Sequence, residues 1–234
     1  MMKKGYYIAQ IPESEVRNKT VGVSKKICDQ IAYFNSLPDT TCEYVSFSQK
    51  LGTVGRFLSF FKTTQYDLFF ENLKDADFLY IRAIVPNNKS LITFLKRIKQ
   101  NKPTCKILYE IPTYPYDNEM KSLREKVFLF VDKLYRKKLK DVVNYIVTLT
   151  DDKEIWGAPT LHISNGIDVS RIPLSQKKET KQDEITLIAV AQFSFWHGYD
   201  RLIEGLHNYY TSENPPQTEV KLHMVGNDNG GTKY

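Results

Sequence analysis

The amino-acid sequence predicts an α/β protein built on a doubly wound parallel sheet. Short apolar segments of strand type alternate with helical patterns along most of the 234 residues, and this alternation is typical of successive βαβ units. The same strand-and-helix pattern begins again near residue 185, after a polar and lysine-rich stretch. We therefore expect an N-terminal domain over residues 1–169, a linker over 170–184 and an incomplete second domain over 185–234.

The predicted elements of the N-terminal domain follow from hydrophobic periodicity. Strands are short runs rich in apolar, β-branched or aromatic residues, whereas helices repeat an apolar residue every three or four positions. On this basis strands are predicted at residues 5–11, 43–47, 77–82, 106–110, 145–149 and 161–163. Helices are predicted at residues 23–34, 54–61, 66–73, 88–99 and 119–140.

Stop signals separate these elements. Pro12 ends the first strand, because proline has no backbone N–H to donate. Leu37-Pro38-Asp39 ends the first helix. Asn165-Gly166 predicts a chain reversal after the last strand, since this dipeptide readily adopts positive φ, and Asp168 is suited to cap the following turn.

The longest helical pattern, residues 119–140, carries both apolar and basic side chains. Its end, residues 133–140, interleaves lysine and arginine with apolar residues. This end either lies on anionic lipid headgroups or is a solvated helix terminus whose cations suit the helix dipole. The positions expected to face inward are Leu123, Val127, Phe130, Val131, Leu134 and Tyr135.

The second domain opens with a predicted strand at residues 185–191 and a turn that ends at Gly198. After Gly198, Tyr199, Leu202, Ile203 and Leu206 fall at helical spacing, and residues 220–225 predict the next strand. The start of this helix points backbone N–H groups at whatever lies above the strand, which favours phosphate. Many such turns bind nothing, so geometry alone leaves both interpretations open.

Composition restricts the class of protein. The net charge of +6 and the isoelectric point near 9.0 indicate an anionic partner, but the basic residues are dispersed and form no nucleic-acid-binding motif, which disfavours nucleic acid. No apolar run has the length of a membrane span or of a signal-peptide core, so we expect a cytoplasmic protein. The three cysteines and four histidines have no metal-ligand spacing, and we expect no metal.

Three segments resemble the retaining glycosyltransferases of family four. Residues 185–206, ITLIAVAQFSFWHGYDRLIEGL, resemble the first strand and helix of the donor-binding domain of that family. Residues 163–168, ISNGID, resemble the P-N-G-[VI]-D segment that closes its N-terminal domain. Residues 110–117, EIPTYPYD, resemble an E-x-P-x-Y-P-Y loop found on the acceptor side in a bacterial branch.

This resemblance implies the GT-B architecture, in which two Rossmann-like domains face each other over a cleft. It also implies transfer of a hexosyl unit from a nucleotide-sugar to a polysaccharide or lipid-linked saccharide, without a metal or another cofactor. Catalysis would then consist mostly of positioning and of stabilising the leaving diphosphate.

The resemblance and the strand ends together nominate the site residues. Glu110 and Asp117 are the candidates for accepting a proton or hydrogen bond from an acceptor hydroxyl. The donor phosphates would lie near Gln192, Ser194, His197 and Gly198. The acceptor side would include Gly22, Arg82, Tyr114 and Tyr116, and the turn between the domains would include Asn165, Gly166 and Asp168.

Simpler interpretations remain open for several of these residues. The helix that begins near Gly22 is followed by Lys25 and Lys26, which are equally well explained as solvated surface lysines. Tyr114 and Tyr116 either offer flat faces to a sugar ring or pack inward beside stiff prolines.

The resembled family continues beyond the matched helix with an E-x(7)-E segment that has no counterpart in these 234 residues. We therefore expect the chain alone to be inactive. The alternative function is a non-catalytic acceptor-binding or membrane-binding subunit that depends on a partner chain for the donor half. Such a protein would be cytoplasmic or peripheral on the inner face of an anionic membrane.

Overall fold

The computed structural model describes residues 2–18, 22–48, 64–117, 122–166, 184–191, 197–213 and 218–226. The chain divides into two compact units, residues 1–167 and 168–234, and each is described by itself. Within the described ranges, no helix has the length and apolar character needed to cross a membrane.

The first unit is built on a seven-stranded sheet. Its strands are β1 (Lys3–Ala9), β2 (Thr40–Ser46), β3 (Phe78–Arg82), β4 (Lys106–Ile111), β5 (Tyr145–Thr148), β6 (Glu154–Ile155) and β7 (Ala158–His162). Their spatial order is β2-β1-β3-β4-β5-β7-β6. Every neighbouring pair is parallel except β6 and β7.

Helices connect these strands. They are α1 (Glu13–Asn18), α2 (Gly22–Ser36), α3 (Phe70–Leu73), α4 (Lys89–Asn101) and α5 (Leu123–Tyr135), together with 3-10 segments at Asp67–Phe69 and Arg136–Asp141. The Asn88 side chain caps α4 and the Ser122 side chain caps α5, each by accepting a hydrogen bond from a backbone N–H of the first turn.

The helices cover both faces of the sheet. Adjacent residues of a strand point to opposite faces, so Tyr7 packs with Ile27 of α2, while Ile8 packs in the core that contains Phe94 of α4. The predicted α/β class and mostly parallel sheet are therefore confirmed, and the arrangement is consistent with a Rossmann-like fold.

The strand order reverses direction between β1 and β3. The chain passes from β1 to β2 on one side and then returns to β3 on the other side. At such a switch point the connections leave the sheet in opposite directions, which opens a crevice beyond the carboxyl ends of the two strands. The fold therefore places its natural binding position beside the ends of β1 and β3.

The second unit contains β8 (Glu184–Val190), α6 (Tyr199–Thr211) and β9 (Glu219–Val225). β8 and β9 pair in parallel from Glu184 opposite Glu219 to Val190 opposite Val225. This is the strand–helix–strand unit that the sequence predicts.

The inward face predicted for the long helix is wrong for four of its six residues and is confirmed for Val131, which is buried, and Tyr135, which is partly buried against the core. Instead of one helix over 119–140, α5 ends at Tyr135 and a 3-10 segment follows. Four of the residues expected inside are exposed: Leu123, Val127, Phe130 and Leu134. The helix has a second apolar row, and Val131 of that row is the buried residue, because hydrophobic spacing alone does not say which of two apolar rows faces the sheet.

Other differences concern short elements. α1 and β6 were not predicted, since six-residue and two-residue elements give too little periodicity to detect. The predicted helix at 54–61 and almost all of the predicted linker at 170–184 lie outside the described residues.

Candidate functional site

A cluster of polar side chains surrounds Glu110 near the carboxyl ends of β1, β3 and β4. Glu110 is the second-last residue of β4, and Arg82, its partner in the parallel register, is the last residue of β3. Tyr80 lies two residues before Arg82 and pairs with Tyr7 of β1. Residues two apart on a strand share a face, so these side chains all meet on the α2 side of the sheet.

The Glu110 carboxylate accepts hydrogen bonds from four side chains. One oxygen, Oε1, accepts from Arg82 Nη1 at 2.9 Å and from Lys26 Nζ at 3.0 Å. The other, Oε2, accepts from the hydroxyl of Tyr80 at 2.9 Å and more weakly from that of Tyr7 at 3.4 Å, because the Tyr7 hydroxyl also lies 2.9 Å from Gln30 Oε1. Glu110 is only 1% exposed, and a buried carboxylate requires such compensation.

Burial favours the protonated form of the two tyrosine hydroxyls, which is the form that donates a hydrogen bond. Burial is the main cause that raises the pKa of Tyr7 and of Tyr80 far above the ordinary value, and the negative charge of Glu110 raises both further. Their rings are stacked, with centroids 5.0 Å apart. The stacked pair therefore contacts one side of the carboxylate, at Oε2.

Lys26 joins this cluster to the turn that follows β7. Its Nζ lies 3.0 Å from Glu110 Oε1 and 3.3 Å from Asn165 Oδ1. The structure therefore brings together three segments that the sequence nominated separately: the start of α2 near Gly22, the end of β4, and the Asn165-Gly166 turn. The sequence left two interpretations of Lys26 open, and these contacts make it a member of the cluster.

The cations at this edge remain partly open to solvent. The side chain of Lys26 is 25% exposed and that of Arg82 is 14% exposed, whereas Glu110 is closed off. A Cβ added to Gly22 or Gly166 would meet no heavy atom of the described residues within 4 Å. The edge therefore carries two cations against one buried carboxylate, a net positive charge beside uncrowded backbone. This arrangement suits an anionic or polyhydroxylated ligand.

A base role for Glu110 stays a prediction. Both of its oxygens already accept hydrogen bonds from protein groups, so one donor would have to give way before Glu110 took a proton from a ligand. In the observed geometry the carboxylate instead orients Lys26 and Arg82.

Asp117 belongs to a second cluster. Its two carboxylate oxygens accept from Arg136 at 2.6 and 3.2 Å, and Lys133 Nζ lies 3.2 Å away. The hydrogen bond from Arg136 is the main cause that lowers the pKa of Asp117 below its ordinary value. Arg136 also lies 5.0 Å from the centre of the Trp156 ring, so this cluster ties the loop after β4 to the β6–β7 hairpin.

The two tyrosines of the same loop pack against protein. Tyr114 and Tyr116 meet the Trp156 ring edge-on, with centroids 5.9 and 6.0 Å away. Tyr116 is buried, and its hydroxyl donates to Asp132 at 2.7 Å. Of the two interpretations left open by the sequence, inward packing therefore holds for Tyr116, and Tyr114 is half-buried.

The two clusters are separate. Tyr109 and Ile111, the neighbours of Glu110 in β4, belong to the core on the opposite face, with Tyr116. The described residues show no hydrogen bond or ion pair that joins Glu110 to Asp117. A shared acid–base pair is therefore not formed by these two carboxylates.

The donor-side residues lie in the second unit where they are described. Gly198 is the N-cap of α6 and has φ +70°, and a Cβ there would come within 2.5 Å of the Arg201 guanidinium. His197 is exposed, with its ring 5.6 Å from that of Tyr199. Gln192, Ser194 and Asp168 fall outside the described residues. In the part of the chain that is described, no three His, Cys, Asp or Glu side chains are grouped as a metal would require.

Sequence reasoning missed Tyr7 and Tyr80, and it left open whether Lys26 belongs to a site or to the solvated surface. A signal existed for them, because a charged residue inside an apolar strand such as β4 must find compensating partners. The partners themselves depend on the strand register, which the sequence does not give.

A comparison with protein-family models finds no match to this chain, and a search of curated proteins finds no relative.

Proposed function

We propose that this chain is a glycosyltransferase of the GT-B kind, or the acceptor-side part of one. The reaction is transfer of a sugar from a nucleotide-sugar to a polysaccharide or a lipid-linked saccharide. The observation that supports it most is the cation pair Lys26 and Arg82, held around Glu110 at the switch point of a Rossmann-like sheet. The choice of sugar transfer as the reaction comes from the resemblance of residues 163–168 and 185–206 to segments of family-four glycosyltransferases.

The cation pair suits the acceptor side of such a reaction. Arg82 Nη1 and Lys26 Nζ both donate to Glu110 Oε1. Because this buried carboxylate holds the two side chains, the orientation of their remaining N–H groups is restricted. Donors fixed in this way bind hydroxyl or phosphate oxygens at a smaller entropic cost than freely rotating side chains. Asn165, held by Lys26, adds an amide at the same edge.

The donor side of the proposal rests on Gly198. A left-handed residue at the start of a 13-residue helix leaves the first backbone N–H groups accessible to an anion, as in nucleotide-binding turns. Nucleotide-sugar binding by the whole chain is measured by isothermal titration calorimetry with UDP-glucose, UDP-N-acetylglucosamine and GDP-mannose. We expect binding of one of these, and no binding at millimolar concentrations would remove the donor half of the proposal.

A matched glycine pair makes the donor test specific. Gly198→Ala forces a side chain into a left-handed conformation against Arg201, whereas Gly205→Ala lies within α6 where a Cβ meets nothing within 4 Å among the described residues. We expect Gly198→Ala to weaken nucleotide-sugar binding at least about tenfold and Gly205→Ala to leave it unchanged. Equal affinities would show that this turn does not hold the phosphates.

A matched arginine pair tests the acceptor side. Arg82→Ala removes a cation of the cluster, and Arg97→Ala removes one from the Arg97–Asp67 pair, which lies outside the cluster. Binding to an array of polysaccharides and lipid-linked saccharides should fall for Arg82→Ala alone. A loss common to both variants would indicate charge-driven adsorption.

The second candidate is a non-catalytic acceptor-binding subunit that depends on a partner for the donor half. The observation that favours it is the burial of Glu110, whose two oxygens already accept hydrogen bonds from protein side chains. Saccharide binding without nucleotide-sugar binding or turnover would support this candidate over the first.

A further inference from the structure

The exposed face of α5 carries a continuous apolar row. Leu123, Val127, Phe130 and Leu134 recur every three or four residues and are 82%, 39%, 64% and 52% exposed. This spacing puts their side chains on one line along the helix, about 16 Å long at 1.5 Å per residue. Apolar side chains this large and this exposed on one helix face mark an interaction surface.

A basic row runs beside the apolar row. Lys126 and Lys133 each stand one position before a residue of the apolar row, Lys137 follows in the 3-10 segment, and all three are exposed. On the other side of the helix, the Arg124 guanidinium lies 5.3 Å from the Phe128 ring centre and Lys138 Nζ lies 4.9 Å from that of Tyr135. Residues 122–141 contain seven basic and three acidic residues, a net charge of +4.

Two of the three acidic side chains of this segment, Asp132 and Glu125, lie away from the apolar row. Asp132 is buried and accepts from Asn87 and Tyr116. Glu125 accepts from the backbone N–H of Ser122 in the capping box, on the turn of the helix opposite the apolar row. The apolar row is therefore flanked by positive charge, of which Lys133 is also paired with Asp117 of the loop after β4 at 3.2 Å, while Lys126 and Lys137 are exposed.

We propose that this face of α5 docks onto an anionic lipid bilayer. Leucine, valine and phenylalanine side chains would enter the boundary between headgroups and acyl chains, and the lysines would contact the headgroup phosphates, which is how interfacial amphipathic helices bind. The charge of the basic row selects an anionic surface rather than a second copy of this basic chain, since like charges repel. This proposal does not depend on the proposed glycosyltransferase activity, and neither result would decide the other.

Vesicle flotation with the whole chain tests the proposal. Vesicles of phosphatidylcholine alone are compared with vesicles containing 30% phosphatidylglycerol, at 0.1 and 0.5 M NaCl. We expect binding to the anionic vesicles at 0.1 M, at least about tenfold weaker binding at 0.5 M because salt screens the lysines, and little binding to phosphatidylcholine. Absence of binding to the anionic vesicles at 1 mM lipid overturns the proposal.

Two double variants separate the apolar and the basic contributions. Phe130→Ser with Leu134→Ser should weaken binding about tenfold or more, because the inserted area is lost. Lys126→Glu with Lys137→Glu should weaken it more than about 25-fold, since each lysine near such a surface is worth about fivefold. All four side chains are exposed, so the variants should keep the melting temperature of the wild type.

Matched controls lie elsewhere on the first unit. Leu68→Ser with Tyr33→Ser removes two side chains that are 65% and 64% exposed, and Lys89→Glu with Lys96→Glu makes the same change of net charge on α4. Both controls should bind as the wild type does. Equal weakening by a control and its matched variant overturns the proposal, as does a dimer in solution that dissociates when Phe130 and Leu134 are replaced, because a second copy would then cover the row.

Discussion

At the scale of single residues, Glu110 determines how the carboxyl edge of the sheet is organised. One buried carboxylate collects donors from β1, β3 and α2, which are far apart in the sequence. Burial of that charge is tolerable only because Lys26 and Arg82 neutralise it and the two tyrosines complete its hydrogen bonds. The sequence nominated Glu110 and Arg82, but it assigned Glu110 a chemical role and not the organising role that the contacts show.

Replacement of Glu110 should therefore act on stability. Glu110→Gln keeps the shape but leaves Lys26 and Arg82 without their counter-charge, so we expect the free energy of unfolding at pH 7 to fall by about 3 kcal/mol. Glu71→Gln is the control, because Glu71 pairs with Lys74 at the surface and is 73% exposed, and its loss should be within about 0.5 kcal/mol. Urea denaturation measures both. Equal midpoints would mean that the cluster does not stabilise the fold.

Asp117 predicts a pH dependence of stability. Its pKa is lowered in the folded protein, chiefly by Arg136, so its contribution is present above the unfolded pKa near 3.8 and is lost as the pH falls through the folded value. Asp117→Asn should reduce the free energy of unfolding by about 1.5 kcal/mol at pH 7.

The gap between wild type and Asp117→Asn should stay constant from pH 6 to about 5 and then shrink as the pH falls through 3.8 towards pH 2. Thermal melts at several pH values in that range follow it. A gap that stays constant with pH would mean that Asp117 stabilises the loop through its shape and not through its charge.

At the scale of elements, buried strands and helix starts were the most predictable features. The strands β3 and β4 follow directly from their apolar runs, and α4 follows from a single apolar face. α5 was harder, because Val131 and Phe130 belong to two apolar rows on different sides of the same helix. Which row faces the sheet is decided by packing with distant residues, and periodicity carries no information about it.

Two helix caps with similar chemistry should differ in energetic value. Asn88 is buried and its Oδ1 accepts from Leu91 N at 2.9 Å, whereas Ser122 is exposed and its Oγ accepts from Glu125 N at 3.2 Å. Water can replace the acceptor only at the exposed cap. We expect Asn88→Ala to cost about 2 kcal/mol and Ser122→Ala about 0.5–1 kcal/mol in urea denaturation.

Ser122→Thr keeps the acceptor and should restore most of the smaller loss. Equal losses of free energy of unfolding in the two alanine variants would mean that burial of a cap residue does not increase its contribution to stability.

At the scale of the whole molecule, the sequence predicted one complete α/β unit and one partial unit. The mostly parallel sheet followed from the alternation of elements, while the strand order and the Lys26–Asn165 contact did not. A contact between residues 139 positions apart depends on how every intervening strand is ordered, and local patterns do not encode that order. The sequence can therefore predict which segments contribute to the site, but not which of their side chains contact each other.

The two units should differ in their ability to fold alone. Residues 1–167 contain apolar cores on both faces of a seven-stranded sheet, whereas β8 exposes Ile188 at 68% and Val190 at 75%. In the described part of residues 168–234, a two-stranded parallel sheet is accompanied by one helix, which cannot cover both faces of that sheet. The fragment 1–167 should therefore unfold cooperatively on heating, and the fragment 168–234 should show no cooperative transition and little dispersion of its amide signals. Circular dichroism melts measure the thermal transition of each fragment, and ¹H–¹⁵N correlation spectra measure the dispersion of its amide signals. A well-dispersed spectrum of 168–234 alone would contradict the prediction, because this fragment would then fold although Ile188 and Val190 of β8 stay exposed to solvent.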